Sequence, residues 1–369
     1  MSAWLLAALL ASAGPANTAP VDAAPPATTT ALAGVATTTE ELLAMPDELR
    51  QRFHDEVLSP SSLPSRRLDA MMRFLFDDSG LGMRYASEAT HGVADAYRTR
   101  QANCLSFTLL AIALAREAGF EAHGQRHDRI LSWRQQDSNL VLSNHVNAGI
   151  RVGHRHFTLD VASDSVIAQG PPLRMTDAEL AALYHGNRAM EYVLDGDVSG
   201  ALPHVARSLQ LDPRSATLWN NAGVAHLRNG DLGAATSAYE RAIALDPDHS
   251  GALFNLAQAY QRQGNDAAAQ HLNARAQRVL ERNPFHHFLQ GHGAEGRGEL
   301  EAAQSHYRRA IRLLPREHRF HFALARVQVG LGDRTGAVRA LRRARALGGD
   351  IERLQYQSKL DVLQAQLGR

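Results

Sequence analysis

The chain has 369 residues, enough for two or three domains, and 39 Lys plus Arg against 38 Asp plus Glu give a formal net charge of +1. That balance argues against nucleic-acid or membrane-surface binding driven by bulk charge. A single cysteine, Cys104, excludes an intramolecular disulfide, and the basic side chains are almost all arginine, Lys359 being the sole lysine.

The chain opens on a short apolar run, Trp4 to Leu10, followed by Ala11-Ser12-Ala13, an A-x-A cleavage pattern. Residues 1–13 therefore read as a cleavable export signal, although no Lys or Arg precedes the run. The run is too short to span a bilayer. Residues 14–39 are mostly Ala, Pro and Thr with one charge, Asp22, and are expected to be a disordered tether. The expected setting is periplasmic or secreted, where an unpaired thiol calls for a reason.

Residues 40–170 are expected to form a separate domain with N-terminal helices, Leu68 to Phe76 being one of them. The segment from Leu105 to Ala115 is apolar on nearly every face, so it predicts a helix buried at the centre of that domain, with Gly119 as its C-cap. Asn103 is a good N-cap, which puts Cys104 in the first turn. There the unpaired N–H groups and the helix dipole favour a thiolate. A buried, inert cysteine fits the same position, and position alone does not decide between them.

Val141 to Val161 reads as two strands joined by a tight turn. In the first strand His145, Asn147 and Arg151 share one face, and Val146, Ala148 and Ile150 share the other. In the second strand His156, Thr158 and Asp160 alternate with Phe157, Leu159 and Val161. With Val152-Gly153 as a two-residue loop, Arg151 pairs with His154, Gly149 with His156 and Asn147 with Thr158. His145 then falls directly opposite Asp160, close enough for the carboxylate to orient the imidazole. Slipping this register by one residue would part them.

The residues Arg100-x-x-Asn103-Cys104-Leu105-Ser106-Phe107-Thr108, the run Ala113-Leu-Ala-Arg-Glu-Ala-Gly119, then His145-Val146-Asn147 and Leu159-Asp160 resemble the transglutaminase-core superfamily. More narrowly, they resemble its bacterial transglutaminase-like members that carry a repeat tail. The resemblance implies an α+β papain-like fold, with Cys104 as nucleophile, His145 as general base and Asp160 as its orienter. It implies no cofactor. Two positions depart from the family pattern: Ala102 stands where a glycine is usual, and Ala162 where an asparagine is common.

Beyond residue 182 a 34-residue period takes over. Pro213 and Pro247 are 34 apart and Pro315 lies two periods on, each after a helix-ending A-x-x-L or similar run. Aligned on that proline, small residues recur at position 8 (Ala189, Gly223, Ala257, Gly291, Ala325) and at position 20 (Ala201, Ala235, Ala269, Ala303, Ala337). Position 27 repeats the pattern with Ser208, Ala242, Ala276, Ala310 and Ala344. Only small side chains fit where two helices cross closely. Gly-Asp, Gly-Asn and Gly-Glu pairs starting at Gly230, Gly264 and Gly298 make the turns.

This frame resembles the tetratricopeptide (TPR) family across five repeats, 182–351, with 352–369 as a capping helix. The expected fold is thus an α+β papain-like/transglutaminase-core domain followed by an all-α TPR solenoid. Position 5 of the last three repeats is Phe254, Phe288 and Phe322, with Arg228, Arg262 and Arg326 on or near the same face. Such a ladder suits an extended protein or peptide partner with apolar and acidic residues, and position 5 can equally be buried between repeats. Asn187, Asn221 and Asn255 recur at position 6. The array's histidines match no recognised metal spacing, and no metal or nucleic acid is expected.

Two functions stand side by side. One is an exported thiol hydrolase or acyltransferase acting on a protein or peptide amide, with the array recruiting the partner. The other is a non-catalytic TPR adaptor with a degenerate transglutaminase-like domain, which the changes at Ala102 and Ala162 favour. A histidine-rich metal-handling protein is a distant third.

Overall fold

The computed structural model describes residues 37–127, 129–136, 139–143, 145–161 and 166–367. The expected export signal and all but the last three residues of the expected tether lie outside them. Thr38, at the tether's end, already caps a helix: its side chain accepts from Glu41 N while Glu41 reaches back to the Thr38 N–H. That helix, α1 (Thr39–Leu43), is followed by α2 (Asp47–Phe53), which runs on into a π-helical turn, His54–Leu58. Next comes α3 (Pro64–Phe76), with proline in the first turn where no N–H is needed.

The segment that follows holds β1 (Arg84–Tyr85), α4 (Val93–Thr99) and β2 (Gln101–Ala102), which pairs parallel with β1. Then α5 (Cys104–Glu117) runs through the core, every residue from Cys104 to Ala115 being buried. It ends at Gly119, whose φ of +81° is one that glycine adopts without strain.

Seven strands come next: β3 (Glu121–Arg126), β4 (Arg129–Gln136), β5 (Asn139–Ser143), β6 (Asn147–Val152), β7 (Arg155–Leu159), β8 (Val166–Gln169) and β9 (Leu173–Met175). They form a four-stranded sheet in the order β7-β6-β3-β9 and a three-stranded one in the order β5-β4-β8. The α5 helix packs on β3 and β6, and Leu105, Leu109, Leu110, Ile112 and Leu114 join Phe53, Phe74, Ile150 and Leu159 in one apolar core. Burying each such side chain contributes about 1.5–3 kcal/mol. Because β9 reaches Met175, this domain extends past the expected boundary at 170.

The β6–β7 hairpin differs from the expected register. Val152 pairs with Arg155, Arg151 with His156 and Gly149 with Thr158, so the loop is Gly153-His154 rather than Val152-Gly153. Gly153, at φ +61°, takes the first loop position, where two-residue turns that need a positive φ place glycine. The shift is two residues, so every side chain keeps its face.

The array begins five residues earlier than expected. A capping box, Thr176 with Glu179, starts α6 (Asp177–Leu194), and Leu180 of that helix is part of the α5 core. Gly124 makes room for it, since a Cβ there would lie 2.7 Å from the Leu180 side chain. The remaining helices are α7 (Val198–Leu211), α8 (Ala216–Arg228), α9 (Leu232–Leu245), α10 (Ser250–Arg262), α11 (Asp266–Glu281), α12 (Pro284–Gly296), α13 (Leu300–Leu313), α14 (His318–Gly330), α15 (Arg334–Leu347) and α16 (Asp350–Leu367). They make five hairpins and a final helix.

Chain contacts group residues 142–272 with most of the preceding domain, whereas 273–369 belong to a second compact unit. Within each hairpin the small residues are where the helices cross: the alanines at positions 20 and 27 are fully buried. Gly223 and Gly291 face the rings of Tyr239 and Tyr307, which a Cβ would approach to 2.3 and 2.6 Å. The inter-helix turns at Gly196, Gly230, Gly264, Gly298 and Gly332 all have φ between +77° and +82°. Among the described residues no helix is long and apolar enough to cross a membrane.

Candidate functional site

Asn103 starts α5 by accepting the Ser106 N–H at 2.9 Å, which fixes Cys104 as the first helical residue. The Asn103 amide donates to Thr90 Oγ1 (2.8 Å), Ser106 Oγ donates to Ala89 O (2.8 Å), and the His91 N–H donates to Ser106 Oγ (2.7 Å). The loop before α4 is thereby strapped to the turn that carries the thiol. One turn on, the Thr108 hydroxyl donates to Cys104 O (2.7 Å) and reaches Val146 O (3.3 Å). Thr108 therefore ties the cysteine helix to the residue next to His145.

His145 lies just before β6 and is only 2 % exposed. Its Nε2 is 2.6 Å from Asp160 Oδ2, at the end of β7, and Asn147 Nδ2 reaches the same oxygen at 3.5 Å. The two-residue register shift makes His145 and Asp160 diagonal rather than direct neighbours, still on one face, and the contact forms. The Cys104 side chain hydrogen-bonds the same ring. With Nε2 held by Asp160, the buried Nδ1 is the ring nitrogen left for the thiol. Burial alone would push the imidazole down, but the hydrogen bonds and charges of Asp160 and Cys104 outweigh it and raise His145 to about 9. The three residues singled out from the sequence thus meet in space.

They do not meet in an open cleft. The cavity at Cys104 is about 30 Å³, room for one or two waters. Cys104, Leu105 and Val146 line it on one side, and Leu183, Asn187, Thr217, Leu218 and Asn221 of the first two repeats line it on the other. Leu218 can come this close because its partner on α6 is Gly186, where a Cβ would sit 2.5 Å from the leucine methyl. A roomier cavity of about 270 Å³ lies elsewhere, lined by Met45, Arg50, Arg116 and Glu117 among others. It contains no nucleophile, and its arginines pair with Glu117 and Asp177.

The expected aromatic ladder does not survive as one surface. Phe288 is 5 % exposed, stacked on Phe320 at 5.0 Å and packed beside Tyr307, so it is inter-repeat core and not a groove residue. The reason is local: α14 presents Phe320 to the ring, and apolar contact outweighs exposure to water. Phe322 is half-buried, stacked on Tyr356 of the last helix with the Lys359 ammonium 5.5 Å from its ring. Arg326 is held by both carboxylate oxygens of Glu295. Phe254 is half-buried, and Arg228 and Arg262 are exposed. Sequence reasoning gave Thr108 no role of its own and did not single out Leu183 or Leu218. Thr108 is a polar residue inside an otherwise apolar run, and that is the signal that marks it.

Profiles described as tetratricopeptide repeat match residues 187–238, 226–284 and 288–351. Residues 187–284 and 288–351 are tetratricopeptide repeats. No curated protein matches the chain. Among solved structures, a MamA protein is 20 % identical, with 44 % of this chain and 90 % of that one covered at a TM-score of 0.26. YrrB, described as a TPR protein with an unusual peptide-binding site, is 18 % identical over 48 % of this chain and 92 % of that one, TM-score 0.26. PilF of Pseudomonas aeruginosa is 15 % identical over 52 % and 92 %, TM-score 0.28.

Proposed function

We propose that the chain is a protein-binding scaffold whose TPR array holds a protein or peptide partner beside a thiol domain of the transglutaminase-like, papain-like kind. The repeats carry this reading, because stacked helical hairpins present long, continuous side-chain surfaces to a partner. Panning the full-length chain against a random-peptide library tests it. Recovered peptides should bind more weakly to Arg228→Ala and Arg262→Ala, at exposed positions of α8 and α10. Failure to recover any peptide would remove the scaffold reading.

A second reading is favoured by the meeting of Cys104, His145 and Asp160: acyl transfer from a protein or peptide amide. The Cys104 sulfur, its proton already given up to His145, attacks the amide carbonyl. His145 returns that proton to the leaving nitrogen, the C–N bond breaks, and ammonia or an amine departs from a thioester. Water, deprotonated by His145, then cleaves the thioester and restores the thiol. Asp160 holds the imidazole in orientation throughout, and the Cys104 backbone N–H at the start of α5 receives the developing oxyanion. Mass spectrometry of the chain treated with a peptide amide should find an acyl adduct on Cys104 of the wild type. An adduct equally abundant on Cys104→Ala would sink this reading.

The expected export to a periplasmic or extracytoplasmic space is kept as a proposal on the Trp4–Leu10 run and the A-x-A pattern, its test being the N-terminus of the mature protein.

A further inference from the structure

Cys104, His145 and Asp160 are in contact, yet the space beside the sulfur is only about 30 Å³. Pockets that take a small ligand run to about 300 Å³ and more, so an amide with its flanking chain does not fit. The space is closed off by two helices of the array, through Leu183 of α6 and Thr217 and Leu218 of α8. Those helices are held differently. Leu180 of α6 is part of the apolar core around α5, and Leu183 and Tyr184 pack against it. Among the described residues that core includes none of α8. Leu218 rests on α6 instead: it is 2 % exposed, and a Cβ on Gly186 would lie 2.5 Å from its methyl.

Leu218 stands in the first turn of α8, where backbone N–H groups depend on a cap. Ser215 receives the Leu218 N–H at 3.4 Å, against 2.8 Å for the Asp231 and Asp333 caps of α9 and α15. The adjacent Thr217 hydroxyl meets His249 Nε2, also at 3.4 Å. His249 Nδ1 accepts the Ala252 N–H, so the proton of the neutral ring is on Nε2 and Thr217 accepts it. Both contacts are at the long end of the hydrogen-bond range, so this turn opens at less cost than the helix behind it.

We infer that the first turn of α8 is an autoinhibitory plug: Leu218 holds the Cys104 site shut, and an amide reaches the sulfur when that turn swings aside. This rests on the second reading above, in which Cys104 is the nucleophile. The reacting side chains stand assembled behind the plug, so opening needs movement of α8 and not of α5, β6 or β7.

Two alkylating reagents that share one electrophile test this on the full chain: chloroacetamide and N-benzylchloroacetamide. In each case the Cys104 sulfur bonds to the chloromethyl carbon, chloride leaves and His145 keeps the thiol proton. The rate ratio, benzyl reagent over chloroacetamide, should be low in the wild type. It should rise about tenfold in Leu218→Ala, and about threefold in Thr217→Val, which keeps the plug but cuts its tie to His249. Adding His145→Gln separates opening from unfolding. In an opened but intact site the gain needs the imidazole and disappears, whereas a cysteine bared by unfolding reacts alike with and without it. Melting curves check each variant, and Thr217→Val, at a half-buried position, carries the test if Leu218→Ala does not fold. An unchanged ratio in the folded variants overturns the plug while the thiol reading stands, and a gain that survives His145→Gln overturns the plug too. A folded Leu218→Ala chain alkylated by neither reagent overturns the thiol reading, and the plug with it.

Discussion

A buried histidine ordinarily sheds its proton, because burial disfavours the charged form. His145 does the reverse, raised by its contacts with Asp160, whose carboxylate sits 2.6 Å from Nε2, and with Cys104. Asp160→Ala should therefore lower the His145 value by roughly one unit or more, read from an NMR titration of the ring protons. A value still near 9 would shift the credit to Cys104. Phe288 shows the same discipline of burial in an apolar setting. With its ring stacked on Phe320 and beside Tyr307, Phe288→Ala should cost about 3–5 kcal/mol in urea unfolding of the full chain. A groove residue would instead leave stability nearly untouched, so the experiment separates the two roles. Gly186 and Leu218 make the complementary case, where the absence of a side chain on α6 is what lets Leu218 line the cavity beside Cys104.

Elements were legible wherever local chemistry is decisive. Asn103 placed the start of α5 and Gly119 its end, because a cap side chain and a positive φ each admit few residues. The 34-residue frame was legible because helix crossings exclude large side chains at three positions of every repeat. What escaped was settled by packing or by turn detail. The Thr176 capping box moved the start of the array to Asp177, and Leu180, ahead of the expected first repeat, belongs to the thiol domain's core. The burial of Phe288 depends on Phe320, on the first helix of the next repeat, which no single position reveals. In the β6–β7 hairpin the side-chain faces were readable from alternation, and the register was not, because it hangs on which loop position holds Gly153. Gly153→Ala forces a left-handed backbone onto a residue with a Cβ, and should cost about 1 kcal/mol in the same unfolding assay. An unchanged midpoint would mean that the turn relaxes to another type.

Across the molecule, buried histidines on opposite sides of their usual value should shape stability against pH. Burial lowers His185 of α6 and His204 of α7 to about 4, their Nδ1 atoms being 3.0 Å apart and the His204 ring tilted against that of Tyr192. The unfolded chain binds protons near pH 6.5 that this pair refuses when folded. Its contribution is thus complete above pH 6.5 and is lost as pH falls toward 4. For His145 the sign is reversed. Folding raises its value to about 9, so its contribution is complete below pH 6.5 and is lost as pH climbs through 9. Each limb is worth at most roughly 3 kcal/mol for a shift of this size, and the histidine pair, sharing one contact, counts as a single step. Melting temperature measured from pH 4 to 10 should therefore peak between about 6 and 7. In a His185→Gln/His204→Gln variant the acid limb should flatten while the alkaline limb persists. Asp160→Ala should flatten the alkaline limb and leave the acid one, since the first hairpin of the array and the thiol site hold their protons by separate contacts. Two limbs that disappear together in either variant would mean that the His185–His204 contact and the thiol site titrate as one cooperative element, which their distinct hydrogen-bond partners do not provide for.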